Sequence, residues 1–211
     1  MSNLPKRLVL AAAVALAPAI VFAQDTATQP QTPAPAAPAP AQQAAPGGQL
    51  VTGAENAGVN QPYVAATHGD WQMRCVKTEE GKDPCQLYQL LKDEQGNNVA
   101  EFSLFALPPG QQAAAGATII TPLETLLTQQ VSFQIDSAPA KHYPFGWCAP
   151  VGCIARVGFT SAEVDALKRG NAATMTIVPV AAPDHKVNLK VSLKGFTAGY
   201  DAVTKANADN Q

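Results

Sequence analysis

The chain has 211 residues, of which 46% are hydrophobic and 14% are charged, and its formal net charge is −2 at pH 7. This balance excludes the strongly basic surface with which proteins hold nucleic acids, so we expect no nucleic-acid partner. Beyond the N-terminal segment, no stretch approaches the roughly 18 continuous apolar residues of a transmembrane helix, so we expect no membrane span in the mature chain.

The first 23 residues have the pattern of a secretory signal peptide. Lys6 and Arg7 form a basic start, and residues 8–21 form an apolar stretch that is too short to cross a bilayer. A small-x-Ala cleavage site ends at Ala23, so we expect cleavage before Gln24. A retained membrane anchor is the alternative, whereas a lipoprotein would need a cysteine in place of Gln24. The mature protein is therefore expected to be periplasmic or secreted.

Residues 24–61 are predicted to form a disordered linker. Ala, Pro, Gln and Thr dominate this segment, and Asp25 and Glu55 are its only charged residues. Its prolines favour extended, polyproline-like conformations. The composition indicates a disordered tail that cannot bury a core, and a spacer that holds the domain away from a membrane or cell wall is the alternative.

A folded domain is expected over residues 62–205, followed by a tail at 206–211. Within it, short alternating segments bounded by turn residues are typical of strands. The first of them places Trp71, Met73 and Cys75 on one face. The predicted strands are 69–75, 85–90, 99–107, 116–121, 131–136, 142–148, 153–159, 172–180 and 186–193.

The four cysteines all lie in the part that would be exported. An even number of cysteines in an oxidising compartment indicates disulfides, and four cysteines allow three connectivities. The spacing favours Cys75 with Cys85 and Cys148 with Cys153, since each pair then brackets its own turn. The second pair encloses residues 149–152, whose Pro and Gly are typical of a hairpin turn.

One helix has clear boundary signals after the predicted hairpin. Thr160 can cap its N-terminus and Glu163 lies three residues later, which is the pattern of a capping box. Val164 and Leu167 would form its apolar face, and Gly170 would end it.

The chain closes with a second, short helical pattern over residues 195–203, where Phe196 and Tyr200 are expected to pack. The residues from Lys205 onward are polar and are expected to fray. Nine or so short strands with frequent turns predict a mainly β protein that forms a two-layer antiparallel sandwich with one short helix.

Several short motifs occur together along this domain. Gly-Asp-Trp at 69–71 is followed by Cys75, and Cys85 is followed by Gln86. Pro-Phe at 144–145 precedes Cys-Ala-Pro-Val-Gly-Cys-Ile-Ala at 148–155. The last motif is Ser-Leu-Lys-Gly-Phe-Thr-Ala at 192–198. In combination they resemble the invasion-associated locus B family, over about residues 66–203. The resemblance implies an immunoglobulin-like β-sandwich in a periplasmic or envelope-associated protein. It implies no enzymatic activity, cofactor or catalytic residue that could be transferred to this chain.

Two kinds of cysteine chemistry compete with structural disulfides. Thiol–disulfide catalysis usually uses Cys-x-x-Cys at the start of a helix, whereas four residues separate Cys148 from Cys153 in an expected hairpin. A zinc site would use all four cysteines, but the spacing of Cys75 and Cys85 exceeds what zinc knuckles prefer. Structural disulfides are therefore favoured, and we expect neither a metal nor a cofactor.

Histidine and aromatic residues supply the other candidates. His68, His142 and His185 could act as ligands or bases, but no nucleophile elbow, zinc-protease helix or phosphate-binding loop accompanies them.

The large aromatic residues Trp71, Phe145 and Trp147 are expected to pack in the core or against the hairpin. An exposed Trp147 beside Phe145 and Tyr143 would instead indicate a surface for a ligand or a partner.

The sequence therefore predicts an exported, disulfide-stabilised, non-enzymatic envelope protein that binds an envelope or host protein or a surface. The alternative is a periplasmic thiol–disulfide enzyme or another envelope enzyme. A third hypothesis is an envelope-integrity factor without a fixed ligand.

Overall fold

The computed structural model of the protein describes residues 51–210, without the side chain of Val51. The expected signal peptide at 1–23, its cleavage site between Ala23 and Gln24, and residues 24–50 of the expected linker lie outside the described residues.

The described part is built mainly of strands, with two α-helices near the end. The strands are β1 (Val51–Thr52), β2 (Pro62–His68), β3 (Trp71–Val76), β4 (Cys85–Lys92), β5 (Asn98–Ala106), β6 (Ala115–Thr121), β7 (Val131–Ile135), β8 (Lys141–Tyr143), β9 (Phe145–Ala149), β10 (Gly152–Phe159), β11 (Ala172–Ile177) and β12 (Val187–Ser192). The helices are α1 (Ser161–Arg169) and α2 (Phe196–Asp209). Two single 3₁₀ turns, Ala54–Asn56 and Leu127–Gln129, lie in connections.

The strands form two sheets. The large sheet has eight strands in the order β1-β2-β3-β4-β5-β6-β10-β9, and the small sheet has four in the order β12-β11-β7-β8. Every pair of neighbouring strands is antiparallel except β1 and β2, which are parallel. The predicted mainly β, two-layer architecture is confirmed.

The core lies between the large sheet on one side and the small sheet with α2 on the other. Trp71 of β3 meets Phe102 of β5 with ring centroids 5.8 Å apart, and Phe102 meets Phe133 of the small sheet at 5.5 Å. Phe196 of α2 packs on Trp71 at 5.4 Å, and Phe159 of β10 packs on Phe133 at 5.5 Å. These contacts define an inner face of the large sheet that is covered along much of its width.

The predicted capping box of α1 is confirmed. The Thr160 backbone N–H donates to Glu163 Oε2 at 2.8 Å, and the Glu163 backbone N–H donates to Thr160 Oγ1 at 3.4 Å. The helix ends before Gly170 and buries Val164 and Leu167, as the sequence pattern predicts.

Helix α2 is longer than expected and the prediction of a frayed end was wrong. It extends to Asp209, and Asn207 makes two hydrogen bonds with the backbone of Cys85, one through each end of its amide, both 2.8 Å long. Asn210 donates to the carbonyl oxygen of Asp83 at 2.7 Å. These polar side chains are specific tertiary contacts, so the expected boundary at residue 205 falls inside a helix.

The ordered part also begins earlier than expected. Residues 51–61, which were assigned to the linker, contain β1 and a 3₁₀ turn, and the Asn60 N–H donates to the Lys77 carbonyl at 2.8 Å. The Gly53 N–H donates to the Val64 carbonyl at 3.1 Å. Backbone pairing, which needs no apolar side chains, orders this short stretch.

The single strand predicted over 142–148 is two strands in different sheets. Pro144 separates β8, in the small sheet, from β9, in the large sheet. Proline lacks a backbone N–H and cannot continue a ladder of hydrogen bonds. The immunoglobulin-like detail is not confirmed, because β2 to β6 are sequential neighbours in one meander rather than distributed between the sheets.

Candidate functional site

The face of the large sheet opposite the core carries large side chains that no element of the described chain covers. We call this surface the outer face. Its main side chains project from alternate positions of β3, β4, β5, β6, β9 and β10, and from the β9–β10 turn: Gln72, Arg74, Gln86, Tyr88, Leu90, Glu101, Ser103, Phe105, Thr118, Ile120, Trp147, Val151, Ile154 and Arg156.

The register aligns an apolar row across five strands of this face. Leu90 pairs with Glu101, Glu101 with Ile120, Ile120 with Ile154, and Ile154 with Trp147. Glu101 is therefore flanked by aliphatic neighbours in this row. Cross-strand neighbours at these positions are close enough to form one continuous surface.

Several of the apolar side chains of the outer face are strongly exposed. Leu90 and Phe105 are 39% and 38% exposed, and Trp147 and Val151 are 48% and 62% exposed. Single exposed apolar residues are common, but four of them on one sheet face form a patch of the kind that marks interaction sites. A shallow groove of about 890 Å³ runs along this face past Tyr88, Phe105 and Val151.

Arg74 and Tyr88 form the polar centre of one half of the outer face. The Arg74 guanidinium lies 3.1 Å from the centroid of the Tyr88 ring, and its Nε donates to Gln72 Oε1 at 2.9 Å. Burial raises the pKa of Tyr88, and the negative charge of Glu101 adds to this rise. Burial lowers the pKa of Arg74, but a guanidinium keeps its proton in proteins. The pair is therefore a neutral phenol beneath a permanent cation.

A second arginine–aromatic pair lies on the other half. The Arg156 guanidinium is 5.4 Å from the centroid of the Trp147 ring, within the range of a cation–π contact. Arg156 comes from β10 and Trp147 from the edge strand β9, so the hairpin itself builds the pair. The guanidinium lies over the face of the ring, which does not occupy all of its N–H donors, so these donors are available to a partner.

The hairpin that carries Trp147 is held in place by two local devices. Cys148 and Cys153 form a disulfide across β9 and β10. Gly152 has φ 140°, and a Cβ at this position would collide with the carbonyl oxygen of Thr121 in β6. The β9–β10 turn therefore packs closely against the end of β6, and Val151 at the tip of the turn faces solvent.

The residues predicted as a binding surface do not form one surface. Trp147 lies on the outer face, so it does not pack in the core, and its contact within the hairpin is with Arg156. Phe145 is half-buried and packs against the core, and Tyr143 packs on Phe159 with ring centroids 6.1 Å apart. The bulge between β9 and β10, next to Ala155, and the break at Pro144 place neighbouring aromatic residues on different sides of the fold.

Tyr143 lines a separate groove of about 520 Å³ between α1 and the β7–β8 hairpin. Lys141 Nζ lies 2.6 Å from Glu163 Oε1, and the Tyr143 hydroxyl donates to the same oxygen at 3.5 Å. Burial and the Glu163 charge raise the pKa of Tyr143 to about 12. Burial opposes ionisation of Glu163, but hydrogen bonds from Lys141 and Thr160 hold its pKa below the usual value. Glu163 is thus committed to the capping box and an ion pair.

The disulfide pairing favoured by the spacing is confirmed. Cys75 bonds to Cys85 and Cys148 bonds to Cys153, and each pair is directly opposite in the register. The four cysteines are therefore not a zinc site. Cys75 and Cys85 are buried, whereas Cys148 is exposed at the edge of the large sheet and Cys153 is buried.

The three histidines do not form a site. His68 ends β2, His142 lies in β8, and His185 lies in the turn before β12. Within residues 51–210, no group of three or more His, Cys, Asp or Glu side chains is arranged to hold a metal ion. None of the helices in this range is long and apolar enough to cross a membrane.

The Gly-Asp-Trp and Ser-Leu-Lys-Gly-Phe motifs meet in one structural junction. Trp71 Nε1 donates to the Ser192 carbonyl at 2.8 Å, and Ser192 Oγ donates to Asp70 Oδ2 at 2.6 Å. Gln89 exchanges two hydrogen bonds with the Ser192 backbone, of 2.9 and 3.1 Å. Gly69 has φ 58°, and a Cβ there would lie 2.5 Å from the Lys194 carbonyl oxygen. These motif residues therefore hold the two layers together and leave the outer face free.

Sequence reasoning missed most of the outer face, including Arg74, Tyr88, Phe105 and Arg156. One signal was available: β4 and β5 place Leu90 and Phe105 at positions that alternate with the core residues, where a solvent-facing strand normally carries polar side chains.

Comparisons with known proteins agree with this fold. Residues 71–204 match the profile of the family described as "Invasion associated locus B (IalB) protein". Two proteins called "Invasion protein B homolog", from Brucella abortus strain 2308 and from Brucella abortus biovar 1 strain 9-941, are each 29% identical over 138 residues, which are 65% of this chain and 77% of theirs.

A solved structure described as invasion associated protein b from Bartonella henselae is similar in fold. It superposes with a TM-score of 0.57 at 23% sequence identity, and the match covers 68% of this chain and 97% of the other. The profile match spans the Trp71–Ser192 junction and both disulfides. The chain belongs to the invasion associated locus B family.

Proposed function

We propose that the protein is exported and acts without catalysis, by binding a protein of the cell envelope or of a host through its outer face. The observation that carries this proposal is the exposure of Leu90, Phe105, Trp147 and Val151 on one sheet face. Stability does not account for exposed aromatic and aliphatic side chains, whereas association with another protein would bury them. The names of the Brucella and Bartonella relatives, which refer to invasion, support a role at the cell surface.

Two features support export. The pattern of residues 1–23 is that of a secretory signal, and both disulfides need an oxidising compartment to persist. Mass spectrometry of the protein from fractionated cells should find it in the periplasm or medium, beginning at Gln24 and without free thiols. A reduced, cytoplasmic protein that retains residues 1–23 would contradict the proposal.

Site-specific photo-crosslinking tests the binding surface in living cells. A photoreactive amino acid in place of Trp147 or Phe105 should give discrete adducts with another protein. The matched control position is Thr174 of β11, on the solvent side of the small sheet. Adducts of equal yield at Thr174, or none at either outer-face position, would contradict binding through this face.

A thiol–disulfide enzyme remains the second candidate because Cys148 is exposed. Its disulfide would then have to exchange with substrate thiols and have a potential near that of glutaredoxins or disulfide isomerase, about −230 to −180 mV. A redox titration in glutathione buffers decides between the candidates. A potential below about −300 mV identifies a structural disulfide and leaves binding as the function.

A further inference from the structure

We propose that the outer face binds an acidic segment of a partner protein, whose carboxylates pair with Arg74 and Arg156 and whose apolar side chains cover Phe105 between them. This inference rests on the proposed function and adds the chemistry of the partner. A planar guanidinium with free N–H edges matches a carboxylate bidentately.

Both arginines are prepared for such a partner. Arg74 lies over the Tyr88 ring and is anchored by its bond to Gln72, and Arg156 makes a cation–π contact with Trp147. These contacts restrict both side chains, and Arg74 the more strongly, so less conformational entropy is lost when a carboxylate binds.

Neither arginine has a carboxylate partner within the described part of the chain. The three ion pairs found among residues 51–210 join Lys77 to Asp83, Lys141 to Glu163 and Lys168 to Asp201. Glu101 lies near enough to affect Arg74 electrostatically, but it forms no ion pair with it. The chain as a whole has 16 acidic and 14 basic residues, whereas the named side chains of the outer face include two arginines and one glutamate. The charge of this face is therefore opposite to that of the whole chain and complementary to an acidic partner.

The spacing of the arginines fits an extended peptide. Arg74 lies in β3 and Arg156 in β10, which are separated by β4, β5 and β6 in the sheet. Four strand spacings correspond to about 19 Å, and an extended chain covers this distance in about six residues. Between the arginines lie the rings of Tyr88 and Phe105 and the hydroxyl groups of Ser103 and Thr118, whereas the row of Leu90 and Ile120 lies beside this strip. Apolar side chains between two acidic residues would contact this strip.

Isothermal titration calorimetry with a soluble random copolymer of glutamate and leucine tests the inference on the purified, oxidised protein. We expect saturable binding that weakens with added salt, because the charges lie near the surface. R156Q should weaken binding about tenfold, and R74Q/R156Q should weaken it further. R156K keeps the charge but loses the planar fork of N–H donors. Its affinity should therefore lie between that of R156Q and that of the unchanged protein.

The matched control is K186Q/K190Q, which removes the same number of charges at exposed positions of or beside β12 in the small sheet. It should bind as the unchanged protein does. Equal weakening by this control, or no binding of the copolymer to the unchanged protein, would overturn the inference. Binding of polygalacturonate without binding of the copolymer would also overturn it, in favour of an anionic glycan.

The failure of this inference is distinguishable from that of the proposed function. If R74Q/R156Q still gives the photo-adducts at Phe105, the outer face binds a partner but does not recognise it by its acidic groups. If the adducts are absent from the unchanged protein as well, the outer face is not the binding surface. R156Q alone is decisive should the double variant fail to fold, because Arg156 is exposed and its removal opens no cavity.

Discussion

The two faces of the large sheet carry the same kinds of side chain but use them differently. Trp71 and Phe102 on the inner face are fully buried, because α2 and the small sheet cover them. Trp147 and Phe105 on the outer face are 48% and 38% exposed. Phe102 and Phe105 even belong to the same strand. The comparison shows that the covering layer, rather than the residue type, determines whether an aromatic side chain stabilises the fold or remains available to a partner.

The largest difference is expected between Phe102→Ala and Phe105→Ala. Phe102 contacts Trp71, Phe133 and Phe159, so its removal leaves a cavity and should reduce the free energy of unfolding by about 3–5 kcal/mol. Phe105→Ala should cost less than about 1 kcal/mol, because a half-exposed ring leaves no closed cavity. Urea unfolding followed by circular dichroism measures both. Similar losses in the two variants would show that the outer face is covered in solution.

The two disulfides should also differ, both in their contribution to the unfolding free energy and in their rate of reduction. Replacing Cys75 and Cys85 by alanine should cost about 2–4 kcal/mol of unfolding free energy, and replacing Cys148 and Cys153 should cost less because that pair closes the shorter loop. A thiol reductant added to the native protein should reduce the Cys148 pair first, since Cys148 is exposed. Alkylation and peptide mapping at increasing times detect the order. Simultaneous loss of both disulfides would instead indicate global opening.

Tyrosines on the two faces of the large sheet should contribute differently to the stability of the protein at alkaline pH. Burial and the hydrogen bond to Asp83 raise the pKa of Tyr63 to about 12, whereas an unfolded tyrosine titrates near 10. The folded state therefore keeps a proton that the unfolded state loses, and stability should be complete below pH 10 and fall as pH rises toward 12.

Tyr63→Phe should flatten this fall, as monitored by urea unfolding at several pH values. Tyr88→Phe on the outer face is the matched control; the pKa of Tyr88 is also raised, but a phenylalanine ring can still support Arg74, so the pH profile should change less. A larger effect of Tyr88→Phe would mean that folding raises the pKa of Tyr88 more than that of Tyr63.

The smallest effect is expected for Trp147→Phe. The chain has two tryptophans, and Trp71 is fully buried. Acrylamide should quench the native protein mainly through Trp147, and Trp147→Phe should remove this component while changing the unfolding free energy by less than about 0.5 kcal/mol. Quenching that persists in the variant would show that the layer above Trp71 opens.

The elements that sequence predicted well depend on local signals. The capping box at Thr160 and Glu163 and the Pro-Gly turn between Cys148 and Cys153 are both encoded within a few residues. Alternation along β3 likewise identified Trp71 and Cys75 as core residues. Each of these features is determined by backbone geometry close in sequence.

The elements that it missed depend on contacts distant in sequence. The end of α2 is held by Asn207 bonding to Cys85, which is 122 residues away. The outer face requires the pairing register of six strands, and alternation alone does not tell which side of a strand will be covered. For this reason the side of the sheet on which Trp147 lies was left open between the core, the hairpin and an exposed surface, and the contact of Arg74 with Tyr88 was not predicted.

The position of α2 in the chain has a consequence for how the protein folds. This helix follows all the strands in sequence, yet it covers Trp71 and Leu87 in the first part of the large sheet. The early strands therefore expose their apolar side while the ribosome is still making the rest. We expect a domain dominated by such distant contacts to fold slowly and only after its synthesis, which would leave time for a chaperone to hold it unfolded.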